Sequence, residues 1–148
     1  MNNKNWITHI TIWVNRFVGF VVLLLVFFLP ALIDWFCQFR LLTNVERTVV
    51  TVCFYCCVVF IALALWSMDR LLAQILKGEV FTRTNVRRIR IIQWCCFAVS
   101  LICVPAAFAY LPLAFLALIM AFLTLTVCVV IRVMDAAISI REENDLTV

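Results

Sequence analysis

Cys53-Phe54-Tyr55-Cys56 sets two thiols three residues apart, with a third following at Cys57. A C-x-x-C pair exchanges disulfides when one thiol ionises and a partner resolves the mixed disulfide. In a membrane that chemistry would be thiol–quinone oxidoreduction through Cys53 and Cys56. Cys53 and Cys57 lie five and nine residues past Thr48, where a long apolar run begins. Such an enzyme needs a second pair to pass electrons on, and the nearest candidates are single residues, Cys37 and Cys103. A motif alone is only a hypothesis. The competing reading makes these cysteines small apolar residues in a crowded helix interface, and that is the reading kept here. Thiol oxidoreduction stands as the alternative.

Metal and cofactor chemistry find less support. Cys95, Cys96 and Cys128 are also in apolar runs, but a thiolate zinc site needs four ligands. His9 is the single histidine and lies outside those runs, so haem cannot be held by two histidines of one chain. No cofactor or metal is expected. Asp34, Asp69 and Asp135 all sit at the ends of apolar runs. Ion-coupled transporters place an ionisable group near mid-membrane, so a pump is disfavoured. A small solute or lipid transporter is a further alternative. No nucleophile–base pair, phosphate loop or metalloprotease motif occurs, and the protein is expected not to be an enzyme.

The remaining polar chemistry is cationic. Lys77–Arg90 is the one long polar segment between two hydrophobic halves and holds Lys77, Arg83, Arg87, Arg88 and Arg90. Arginines beside apolar helices set topology and contact anionic headgroups. They do not by themselves imply nucleic acid, and none is expected to bind directly.

These residues need elements to position them, and hydropathy supplies four. The chain has 148 residues, is 67% hydrophobic and has a mean hydropathy of +1.14. Soluble domains are nearer half apolar, and a domain this small has little interior in which to hide the excess. An integral membrane protein follows. Phe17–Ile33 is 17 uncharged residues and Thr48–Met68 is 21. Ile91–Ile131 is 41, too long for one span and right for two. Pro105 and Pro112 bracket the hairpin between them. Either Arg90 snorkels or Pro105 lies within the last turn of helix 3. Ala31 stands alone among bulky neighbours, so the first span is read as uncleaved. Pro30 is placed to kink its far end.

The expected fold is all-α: a four-transmembrane-helix bundle in a single domain, 1–148, with helical extensions beyond the membrane. The spans are set at about 14–34, 48–68, 89–107 and 112–132, with a loop over 69–88 and a mixed loop over Asp34–Arg47. Helix 2 is expected to run on through Leu76, with Gly78 as the residue that stops it. Thr82 is the N-cap of the next helix, with Phe81 and Val86 as a hydrophobic staple.

Charge then sets the orientation. The side with the termini and the 69–90 segment carries ten of the twelve Lys and Arg residues, leaving only Arg40 and Arg47 on the other. By the positive-inside rule the first side is cytoplasmic.

The segment Gly78-Glu-Val-Phe81-Thr82-Arg-Thr-Asn85-Val86 and the end Glu143-Asn-Asp145-Leu146-Thr147-Val148 resemble the small bacterial four-helix membrane proteins grouped as domain of unknown function 2975. Thr84 stands where an acidic residue is common in that family. The resemblance covers nearly the whole chain and implies a plasma (inner) membrane location; the charge count and the even number of spans place both termini in the cytoplasm. The resemblance implies no reaction. Members often lie beside a small helix-turn-helix regulator, an association that points toward regulation. The expected function is a non-catalytic regulatory or interaction component. Its expected partners are anionic lipid headgroups at the cytoplasmic face, together with a protein partner or a second copy.

One contact can be set by depth. With Ile91 and Ile131 taken as level, Arg87, Arg88 and Asp135 all lie about 5–6 Å below them. Asp135 is therefore expected to pair with Arg87 or Arg88, while Glu142, Glu143 and Asp145 reach Arg83. Asp69 is expected at the level of Arg90. These charges would form a releasable latch.

Overall fold

The computed structural model describes residues 3–39, 43–77 and 82–146, with side chains over 6–35, 43–77 and 82–144. It holds four helices: α1 (Asn3–Phe39), α2 (Asn44–Leu76), α3 (Arg83–Ala107) and α4 (Pro112–Leu146). All four are long and apolar enough to cross a membrane. At 1.5 Å per residue even α3 reaches about 38 Å, beyond a hydrocarbon core of about 30 Å. Among the described residues there is no strand.

The loop expected over Asp34–Arg47 is much shorter, because α1 continues to Phe39 and α2 opens at Asn44. Polar residues there mark the edge of the apolar span and not the end of the helix. Asp34 and Arg47 form an ion pair across the α1–α2 connection. The start of α2 also has a cap that the sequence reading missed. Thr43 and Glu46 have capping-box spacing, and the Thr43 backbone N–H donates to the Glu46 carboxylate at 2.9 Å. Replacing Glu46 by Ala is expected to quicken amide exchange over residues 43–47 roughly fivefold, the equivalent of about 1 kcal/mol. Glu46→Gln, which can still cap, should leave the rate near wild type.

Pro105 lies within the last turn of α3, the second of the two expected alternatives. The hairpin is tight. Ala109 and Tyr110 N–H both donate to the Ala106 carbonyl, at 3.1 and 3.0 Å. Pro112 then opens α4 at the position where a missing N–H costs nothing.

Helices pack in chain order: α1 on α2, α2 on α3, α3 on α4. Each junction carries a side chain that bonds a backbone carbonyl on its neighbour. Asn15 donates to Leu65 at 3.2 Å, Ser67 to Arg88 at 3.1 Å and Ser100 to Ala117 at 3.0 Å. Small polar residues play this part where no water is present. One buried core joins Cys53, Cys57, Val99, Cys103, Ala106 and Ala117. A second, toward the arginines, joins Val86, Ile131 and Ile138. The large apolar side chains point outward instead: Trp13, Phe17, Phe27, Leu118 and Phe122 are all exposed. That inverted distribution is suited to lipid as the surrounding solvent.

Candidate functional site

Arg83, Arg87, Arg90 and Trp94 follow one another at helical spacing down one face of α3. With Val86, Ile91 and Asp135 of α4 they line a groove of about 410 Å³. Its position depends on how α3 begins. Thr82 holds the N-cap position with extended backbone, and its carbonyl accepts the N–H groups of Asn85 and Val86 at 3.0 and 3.2 Å. The expected hydroxyl cap is not made. Asn85 is completely enclosed and Val86 nearly so. Val86 shares a buried core with Ile131 and Ile138 of α4. This shared core fixes the rotation of α3 and leaves the arginines to flank the seam.

Two ion pairs cross the seam. Arg83 grips Glu142 with a two-pronged hydrogen bond, Nε to Oε1 at 3.1 Å and Nη2 to Oε2 at 2.7 Å. Arg90 faces Asp135 at 3.7 Å. The pairs are seven residues apart on both helices, so one antiparallel register serves both. The expected pairing of Asp135 with Arg87 or Arg88 is corrected. The register sets Ile91 beside Met134 rather than Ile131, a slip of three residues or about 4.5 Å.

The other arginines have separate roles. Arg88 turns to α2, where its guanidinium donates to the Arg70 carbonyl while its own carbonyl accepts from Ser67. Arg87 has no carboxylate partner among the described residues and lines the groove. Asp69, expected at the level of Arg90, meets Arg16 of α1 at 3.5 Å. Arg70 stacks over Trp66, 5.8 Å from the ring centre.

The Arg83 hydrogen bond holds the Glu142 carboxyl below its ordinary range, and Glu142 raises the Arg83 guanidinium above its own. For a depressed carboxylate the attraction is complete above the ordinary glutamate range and is lost as pH falls through the folded value. The raised guanidinium would lose its share only in strong alkali. Acid is therefore the limb that opens this contact. Both groups are exposed, so each pair is the kind that contributes little on its own.

Of the remaining predicted residues, Gly78 and Phe81 lie outside the described residues, as do the side chains of Asp145 and Leu146. Glu143 is exposed near the end of α4. The candidate redox pair is divided: Cys53 is buried and lies 3.9 Å, sulfur to sulfur, from Cys103, while Cys56 is exposed. Asn15, Ser67 and Ser100 were missed as helix-joining residues. For Ser67 and Ser100 the signal was a small polar side chain inside an apolar run.

An arginine fork suits planar oxyanions, and a groove with three arginines above Ile91 and Trp94 can hold a phosphate next to an acyl chain. No curated protein and no solved structure matches the chain. The family described as "Protein of unknown function (DUF2975)" matches over residues 2–148, nearly its full length, with four helices in keeping. The chain belongs to the DUF2975 family.

Proposed function

We propose that this protein is a non-catalytic regulatory or interaction component of the bacterial plasma membrane. Its α3–α4 groove takes an anionic phospholipid headgroup in competition with the carboxylates of α4. The observation that carries the reading is the unequal charge of the groove. It is lined by Arg83, Arg87 and Arg90 and by the single carboxylate of Asp135, with Glu142 gripping Arg83 from α4. Arg87 supplies a positive charge that no described carboxylate answers. The ten-to-two distribution of Lys and Arg supports placing this end, and both termini, in the cytoplasm. The inner leaflet there is the anionic one. The absence of Asp, Glu, Lys, Arg and His from the middle of the apolar runs supports a role without ion coupling.

Headgroup occupancy would free Glu142 and the end of α4 for a protein partner or a second copy. Lipid retention in native mass spectrometry tests the first half of this. Wild type should retain phosphatidylglycerol in preference to phosphatidylcholine. Arg87→Gln should weaken that preference roughly fivefold, since a basic side chain at the surface contributes about 1 kcal/mol. Equal retention by wild type and variant would remove the groove from the proposal.

A further inference from the structure

Three thiols meet near the end of the helices remote from the arginines. The sulfurs of Cys53, Cys57 and Cys103 lie within 4.8 Å of one another, and all three side chains are buried. Cys53 and Cys57 are one turn apart on α2 and share a face. Cys103 meets them from α3, across 50 residues of sequence, with its sulfur 3.9 Å from that of Cys53. Cys53 lies nine residues past the start of α2 at Asn44 and Cys103 four before the end of α3 at Ala107, about 14 and 6 Å inside those ends.

A metal–thiolate bond of about 2.3 Å sets the three sulfurs of a trigonal ion about 4 Å apart. The Cys53–Cys103 separation of 3.9 Å matches that spacing, and the other two lie within 4.8 Å. Zinc is the poorer fit, because closed zinc sites take four ligands. No histidine or carboxylate joins the group among the described residues. Three soft sulfurs without a hard donor select Cu(I). Disulfide exchange fits less well, because a thiol buried in apolar surroundings is a poor nucleophile. A bound metal overcomes that barrier by displacing the thiol proton itself.

We propose that Cys53, Cys57 and Cys103 form a three-sulfur site for Cu(I) that joins α2 to α3. As the ion binds, the three thiols give up their protons to water and coordinate as thiolates, so the centre carries a net negative charge. No electron is transferred. The site is independent of the arginine groove and stands or falls separately from it.

The test uses the full chain, reduced and held in detergent, with Cu(I) presented in its bicinchoninate complex. Wild type and Cys56→Ser should each withdraw one Cu(I) per chain, and Cys103→Ser should bind at least tenfold more weakly. X-ray absorption of the wild-type complex should show three sulfurs at about 2.3 Å and no nitrogen or oxygen, a readout that does not depend on the variant folding. Copper left with the chelator by wild type, full binding by a folded Cys103→Ser protein, or a first shell other than three sulfurs would each overturn the proposal.

Discussion

A reporter active only in the cytoplasm is expected to give full signal when joined after Val148 or inserted at Gly78. It should give none when inserted between Arg40 and Glu46. The effect is all or none, because moving charged loops across a bilayer has no intermediate state. The physical cause is the charge bias of the short loops, ten Lys and Arg on one side and two on the other. Four spans alternating in direction would put the α2–α3 connection on one side and the α1–α2 connection on the other. Signal from the 40–46 insertion would invert the orientation. The groove would then face the leaflet that lacks the anionic potential the proposed function requires.

Ala117→Leu is expected to be the most disruptive single substitution between α3 and α4. Ala117 is buried in the core with Val99 and Cys103, and its carbonyl accepts the Ser100 hydroxyl at 3.0 Å. Three further carbons would have to be fitted against Val99 and Cys103 in that core. Overpacking of this kind costs about 1–3 kcal/mol. Unfolding in graded SDS should show that loss for Ala117→Leu, whereas Leu118→Ala, one residue on but facing outward, should stay within about 0.5 kcal/mol. Equal effects at the two positions would mean that the α3–α4 seam is not where the structure has it.

The number of helices was legible in the sequence because hydropathy alone decides it, and the Pro105–Pro112 hairpin was legible because proline punctuates. Helix lengths were less so. Asp34, Glu46 and Arg47 were read as a loop, but a helix leaving the membrane keeps its backbone bonds whatever its side chains are, and α1 and α2 run on into this polar stretch. The partners of the charges were least legible. Depth counting assumed that Ile91 and Ile131 were level, whereas the Arg83–Glu142 and Arg90–Asp135 pairs set the register three residues away. Arg88 looked like a groove residue by depth, but helix rotation turns it toward α2. The thiol cluster was hidden for the same reason. C-x-x-C spacing draws attention to Cys53 and Cys56, while the face of α2 that meets α3 carries Cys53 and Cys57.

The central claim is that anionic headgroups and the α4 carboxylates compete for the same arginines. Ile138 is the last buried residue of α4 among those described, and beyond it Glu142 is held by Arg83. Spin-labelled amino acids at the exposed positions Thr84 and Ile140 report that end of the seam directly. In phosphatidylcholine nanodiscs at neutral pH the account predicts one narrow distance distribution. It predicts a broader, longer one when phosphatidylglycerol is added, or when pH falls below the glutamate range without it. The double reversal Arg83→Glu with Glu142→Arg should restore the narrow distribution in neutral lipid that either single reversal loses. A distribution that anionic lipid leaves unchanged would contradict the account.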